Sequence, residues 1–120
     1  MELSFKIETK NIQADFPAII LEGEVDVYTA PQLKQHLIAI LEGPNKKVLI
    51  DLTSVDYLDS TALGVLIGGL KRLKEIGGEM ILVCPTPRIH RVFEITGLDK
   101  IFLIYQSEAE ALQEMGKDNE

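Results

Sequence analysis

Cysteine and long apolar runs are nearly missing from this sequence. Cys84 is the single cysteine among 120 residues, which excludes an internal disulfide bond and a cysteine cluster for zinc. No apolar run approaches the roughly 20 residues that a membrane-spanning helix needs. The first six residues (MELSFK) lack the basic segment and apolar core of a signal peptide. These absences predict a cytoplasmic protein without a membrane segment.

Basic residues are also scarce. The chain has 12 Lys and Arg against 19 Asp and Glu, which gives a formal net charge of -7. Because nucleic-acid phosphates repel such a chain, we expect no nucleic-acid partner. The charge favours a protein partner with a basic surface, although acidity that serves only solubility is the commoner case.

Motifs of common enzyme sites are absent as well. The chain has no Gly-x-Ser-x-Gly elbow, no Walker A loop, no Gly-x-Gly-x-x-Gly and no paired-histidine metal motif. A serine nucleophile needs a base within hydrogen-bond reach. The two histidines, His36 and His90, fall on polar positions of predicted helices away from the serine discussed below. We therefore expect no catalytic activity, no cofactor and no metal site.

The apolar pattern switches repeatedly between the periods of strands and helices. It predicts strands near residues 3–8, 18–25, 48–52, 80–84 and 101–104, and helices near residues 30–41, 61–76, 87–96 and 108–115. This alternation indicates an α/β domain, with a mixed sheet of about five strands, parallel middle strands and about four helices. The first two strands, with no helix between them, should form an antiparallel pair. We expect one domain over residues 1–115 and a flexible tail over residues 116–120.

Asp59 and Ser60 stand between a predicted strand and the longest predicted helix. Backbone N–H groups at a helix start have no intrahelical partner, and the helix dipole favours negative charge there. A phosphate on Ser60 would therefore be stabilised, which favours a serine phosphorylation switch. The alternative is that Ser60 is an ordinary N-cap, a common role for serine.

Glycines interrupt one face of the helix that follows. Gly64 and Gly68 are four residues apart and share a face. A glycine inside a helix costs about 0.5–1 kcal/mol relative to alanine. Glycine at these two positions and at Gly69 therefore destabilises the helix, and its presence there needs a structural or functional reason. Close approach of a partner beside the serine is one reason. Close packing against strands of the same domain is the other.

The loop after the second predicted strand is expected to lie beside the same serine. Asp26 in this loop and Asp59 could together hold Mg²⁺, orient the serine or cap backbone N–H groups, and capping is favoured for Asp59. Tyr28 is either a partner-binding anchor or part of a hydrophobic staple. Thr29 is expected to be the N-cap of the predicted helix near residues 30–41, with Gln32 completing a capping box.

Three segments together resemble a known family. Residues 21–31 (LEGEVDVYTAP), 59–65 (DSTALGV) and 93–98 (FEITGL) are similar, in order and spacing, to signatures of bacterial anti-sigma factor antagonists, which are single STAS domains. The resemblance extends over nearly the whole chain, from about residue 5 to residue 112.

The resemblance implies a partner-switching function. The unphosphorylated protein would bind an anti-sigma factor that is also a serine kinase and so release the sigma factor. The kinase would end the interaction by phosphorylating the serine of the signature, here Ser60, and a PP2C-type phosphatase would restore it. ATP and Mg²⁺ would belong to the kinase. The expected partner-binding residues are Asp26, Tyr28, Asp59, Thr61, Ala62, Gly64 and Gly68.

One position departs from the family pattern, because Ala62 stands where the family usually has glycine. Alanine raises helix propensity and disfavours a left-handed backbone. Both effects change the backbone geometry that a kinase would encounter next to the serine. The alternative function is a STAS-type scaffold or docking subunit of a larger phospho-regulated assembly. In either case we expect a monomer or a weak dimer.

Overall fold

The computed structural model describes residues 5–13 and 16–117 and contains one five-stranded sheet. The strands are β1 (Phe5–Gln13), β2 (Phe16–Val25), β3 (Lys47–Leu58), β4 (Glu79–Val83) and β5 (Leu103–Tyr105). The helices are α1 (Ala30–Leu41), α2 (Ser60–Glu75), α3 (Pro87–Thr96) and α4 (Glu108–Lys117), with a 3₁₀ turn at Leu98–Lys100. The predicted α/β class and the predicted order of strands and helices are confirmed. β1 extends beyond its predicted end at residue 8, and β5 begins at Leu103 instead of residue 101, because the N–H groups of Ile101 and Phe102 bond to the Leu98 carbonyl in the 3₁₀ turn.

The strands lie side by side in chain order from β1 to β5. β1 and β2 are antiparallel, and β2, β3, β4 and β5 are mutually parallel. Parallel neighbours need a crossover connection, and α1, α2 and α3 provide one each. The predicted antiparallel pair and parallel middle strands are therefore correct.

The core lies on both faces of the sheet. One face packs against α1, α2 and α3 through residues that include Leu33, Leu66 and Phe93. The other face packs against α4 through Ala111 and Met115. Because the middle strands are covered on both sides, their sequences read as continuous apolar runs. None of the helices in the described ranges is long and apolar enough to cross a membrane.

β3 is longer than the sequence pattern predicted. Its expected end was residue 52, and the segment beyond it reads as a polar loop, but the strand continues to Leu58. Val55 and Leu58 point into the core while Thr53, Ser54 and Tyr57 are exposed. Pairing with β2 continues to the partners Val25 and Leu58, which holds this polar segment in the sheet.

The ends of the helices agree with most of the sequence signals. Gly77 after α2 and Gly97 after α3 adopt φ values of 78° and 77°, a left-handed conformation that favours glycine. Ile76, which the predicted helix range included, lies just past the end of α2 and is 44% exposed. α4 continues through Gly116 and Lys117, and the rest of the expected tail, like the expected strand position Leu3, lies outside the described residues.

Candidate functional site

Two loops meet at the carboxyl ends of β2 and β3. Val25 and Leu58 are register partners, and the Asp59 N–H donates to the Val25 carbonyl at 3.1 Å. Asp26 and Asp59 therefore follow neighbouring strand ends, as the sequence predicted. This edge of a parallel sheet is where α/β domains usually carry their ligand and partner sites.

Asp59 is the N-cap of α2. Its carboxylate accepts the Ala62 N–H at 3.0 Å, and its carbonyl accepts the Leu63 N–H at 3.1 Å. Ser60 is the first helical residue, so the alternative that Ser60 itself caps the helix is wrong. The Ser60 side chain is exposed, and its hydroxyl has no hydrogen bond to any described residue. The cap and the free hydroxyl are thus supplied by two adjacent residues.

Asp26 organises the β2–α1 loop in a similar way. Its carboxylate accepts the N–H groups of Tyr28 at 2.9 Å and Thr29 at 3.1 Å. The Thr29 hydroxyl donates to the Glu24 carbonyl at 2.9 Å and accepts the Asp26 N–H at 2.9 Å. The predicted capping box from Thr29 to Gln32 is therefore wrong, because the loop already occupies the Thr29 hydroxyl.

Both carboxylates beside the serine are engaged with backbone N–H groups. Of the three roles that the sequence left open for Asp26 and Asp59, capping is the one that the hydrogen bonds show. Among the described residues, no group of three or more His, Cys, Asp and Glu side chains is arranged to hold a metal ion.

Exposed apolar side chains surround this end of the sheet. Tyr28 is 81% exposed and Val27 is 55% exposed in the β2–α1 loop, and Tyr57 near the end of β3 is 50% exposed. The exposure of Tyr28 contradicts a hydrophobic staple, and the partner-binding anchor stays a prediction. Sequence reasoning missed Val27 and Tyr57, although large apolar side chains at strand ends next to Asp26 and Asp59 were a usable signal.

Gly64 and Gly68 face open space. A Cβ atom built at either position meets nothing within 4 Å, whereas one at Gly69 would lie 2.9 Å from Met80 Cε and 3.1 Å from Leu37 Cδ1. Internal packing therefore explains Gly69 alone. Gly64 and Gly68, with Thr61, line a groove of about 420 Å³ between α1 and α2.

Ala62 differs from the other residues of the predicted contact set. Its side chain is 0% exposed and belongs to the core, so it cannot touch a partner directly. Its backbone N–H is taken by the Asp59 carboxylate at 3.0 Å. Because the residue is helical, alanine suits the position and no left-handed backbone is required.

The remaining reactive side chains are engaged away from Ser60. His36 Nδ1 is hydrogen-bonded to the Thr9 hydroxyl at 2.6 Å, and His90 Nδ1 lies 3.7 Å from the Glu94 carboxylate. Cys84 is buried, and this burial raises the pKa of its thiol. Within the described part of the chain, Ser60 has no basic side chain hydrogen-bonded to it, so the arrangement lacks the base of a serine nucleophile.

One family model spans the three sequence signatures and the Asp-Ser junction at the start of α2. The model for the STAS domain matches residues 7–111. The chain belongs to the STAS domain family. The predicted STAS-type fold is confirmed.

This STAS domain has relatives that are named as anti-sigma factor antagonists. The domain is 40% identical over 108 residues to the anti-sigma-B factor antagonist of Listeria monocytogenes, covering 90% of this chain and 95% of that protein. It is 38% identical over 96 residues to the anti-sigma-B factor antagonist of Staphylococcus aureus, covering 80% of this chain and 88% of that protein. A crystal structure of an anti-sigma factor antagonist from Mycobacterium paratuberculosis matches with a TM-score of 0.83 at 29% identity, covering 92% of each chain.

Proposed function

We propose that this STAS domain is an anti-sigma factor antagonist whose binding is switched off by phosphorylation of Ser60. The observation that carries the proposal is the exposed Ser60 hydroxyl on the first residue of α2, with the capping role taken by Asp59. Relatives at 40% and 38% identity over most of the chain are named anti-sigma-B factor antagonists, which supports the same function.

The unphosphorylated form binds an anti-sigma factor that is also a serine kinase, and this binding releases the sigma factor. The kinase transfers the γ-phosphoryl group of ATP to Ser60 Oγ, the hydroxyl proton leaves to a base of the kinase, and ADP is released. Phosphorylation ends the interaction. A PP2C-type phosphatase hydrolyses the phosphoserine and returns inorganic phosphate. The STAS domain itself is a substrate and binding partner that supplies no catalytic group, and ATP and Mg²⁺ belong to the kinase.

The surface that we propose to contact the anti-sigma factor lies on both sides of Ser60. From the sequence-predicted set it includes Asp26, Tyr28, Asp59, Thr61, Gly64 and Gly68, and the exposed Val27 and Tyr57 extend it. Tyrosine is enriched among residues that dominate binding energy, because it buries a large apolar ring and keeps a polar end. We expect Tyr28 to be the main anchor because it is 81% exposed.

The effect of a phosphate should be far larger on binding than on folding. A phosphate adds about -1.5 to -2 charges at neutral pH. At a helix N-terminus the dipole stabilises an anion by roughly 0.3–1 kcal/mol, so the fold tolerates it. Inside a fitted contact, desolvation and like-charge repulsion amount to several kcal/mol. Since about 1.4 kcal/mol is tenfold in affinity, the complex dissociates while the domain stays folded.

The first prediction is that Ser60 is the dominant phosphorylation site. Incubation with the cognate anti-sigma kinase and ATP should add one phosphate, which mass spectrometry should map to Ser60, and Ser60→Ala should remain unmodified. Thr61 is the internal control, because it is the adjacent hydroxyl and is also exposed. Dominant modification at Thr61, Ser54 or Thr53 would disprove the assignment.

The partner itself needs a separate experiment. The domain should capture an anti-sigma factor kinase from the native cytoplasm, and sedimentation of the free domain should show a monomer or a weak dimer. Recovery of a large signalling assembly without an anti-sigma factor would instead support the scaffold function.

A further inference from the structure

The groove between α1 and α2 extends well beyond the surface around Ser60. Its α2 wall runs from Thr61 through Gly64 and Gly68 to Arg72, and its α1 wall contains Lys34, Ile38 and Leu41. At 1.5 Å per residue, the α2 wall is about 16 Å long. The groove therefore begins next to Ser60 and continues for about three helical turns.

The apolar lining of the groove is only partly covered by the domain. Ile38, Leu41 and Val65 are half-buried, so each still presents surface to a second molecule. Gly64 and Gly68 offer no side chain, which lets the backbone of another helix approach closely. A partner that fills this space gains apolar burial at about 25 cal/mol per Å².

The charged residues that line the groove have one sign. They are Lys34 on α1 and Arg72 on α2, both exposed, on a chain whose formal net charge is -7. Neither groove cation forms an ion pair with another described residue. A cationic groove on an acidic domain is complementary to an acidic ligand.

The secondary structure of the walls restricts the form of the ligand. Both walls are α-helices, whose backbone groups in the middle of each helix already hydrogen-bond within the helix, so an extended segment would find no strand edge to pair with. An amphipathic helix instead lays its apolar stripe along such a groove and places its charged residues at the rims.

We propose that this groove is the docking site for an amphipathic helix of the anti-sigma factor, with acidic residues that meet Lys34 and Arg72. This inference rests on the proposed function and assigns a second part of the interface, on α1 and the later turns of α2, to a ligand of defined chemistry. Docking there holds the partner's helix in line with Ser60, which stands at one end of the groove.

The test is a pair of charge-reversal variants with the same net charge. Lys34→Glu/Arg72→Glu changes the groove, and Lys71→Glu/Lys74→Glu changes exposed residues of α2 that do not line it. Each reversal changes the charge by -2, so both double variants go from -7 to -11. Titration calorimetry with the cognate anti-sigma factor should show at least a tenfold loss of affinity for the groove variant and less than a threefold loss for the control. Thermal melting confirms that both variants are folded.

Each other outcome overturns the inference in a recognisable way. If the parent binds and both variants bind equally, the groove is not used, while the proposed function stands. If the parent binds no anti-sigma factor, both proposals are wrong. If sedimentation shows that the groove variant has lost a dimer that the parent forms, the occupant is a second copy of this chain. Hydrogen exchange provides an independent readout, because the amides of α1 should gain protection in the complex.

Discussion

At the scale of single residues, Asp59 and Ser60 divide two tasks that one N-cap serine would combine. The Asp59 carboxylate accepts the Ala62 N–H at 3.0 Å and so stabilises the start of α2. The Ser60 hydroxyl is exposed and makes no hydrogen bond to any described residue. A modification of Ser60 would therefore remove no capping bond, which suits the proposed phosphorylation switch.

This division of tasks predicts stability effects of different size at these two adjacent positions. Asp59→Ala should lower the free energy of unfolding by about 1 kcal/mol, because an N-cap bond is lost. Asp59→Asn should retain most of the stability, because asparagine keeps an acceptor oxygen. Ser60→Ala should change it by less than about 0.5 kcal/mol. Urea titration measures all three, and an equal loss for Asp59→Ala and Ser60→Ala would show that Ser60 shares the cap.

At the scale of the element, α2 has two faces with different requirements. Leu63, Leu66 and Leu70 bury one face against the sheet, while Gly64 and Gly68 leave the other face open. Gly69 belongs to the buried side, since a Cβ there would lie 2.9 Å from Met80 Cε. The same residue type thus serves internal packing at one position and an open surface at two others.

Alanine substitutions separate these two uses of glycine. Gly68→Ala should raise the free energy of unfolding by about 0.5–1 kcal/mol, because it adds helix propensity and meets no atom. Gly69→Ala adds the same propensity, but its Cβ must displace the flexible end of the Met80 side chain and Leu37 Cδ1, which offsets part of the gain. Gly69→Ala should therefore be the less stable of the two in thermal melts. The reverse order would show that the Met80 side chain moves away freely and that Gly68 contacts other residues.

At the scale of the whole molecule, the proposed binding surface and the core are separate. The exposed Val27, Tyr28 and Tyr57 lie at one end of the sheet and contribute little to the core. The core itself consists of two clusters, one on each face of the sheet, which together cover the middle strands. We therefore expect a charge introduced at Ser60 to act on the proposed partner and to leave the packing between the sheet and helices unchanged.

Three proteins test this separation. Ser60→Asp changes the melting temperature by only a few degrees, because the favourable helix-dipole effect and the repulsion from Asp59 are each below about 1 kcal/mol. Its affinity for the anti-sigma kinase should fall at least tenfold, while Ser60→Ala should bind like the parent and resist inactivation by ATP. Calorimetric melting and titration of the parent and both variants measure this. If Ser60→Asp binds like the parent, Ser60 lies outside the interface and the proposed switch is wrong.

The sequence by itself determined the features that depend on local patterns. The sequence pattern located the strands and helices, and it placed the ends of α2 and α3 to within one residue. The absence of a helix between the first two strands predicted their antiparallel pairing. The Asp-Ser junction predicted the candidate site, because capping residues at a strand–helix boundary are recognisable within a few residues.

Only the tertiary structure decided the features that depend on contacts between distant residues. β3 continues to Leu58 because β2, more than 30 residues earlier, supplies its hydrogen bonds. Gly69 differs from Gly68 because Met80 and Leu37, from other elements, crowd one position and not the other. The groove exists because α1 lies beside α2, so Lys34 and Arg72, 38 positions apart in the chain, face one space. Each of these features depends on packing between residues far apart in the chain, so a local pattern of apolar, polar or capping residues does not predict any of them.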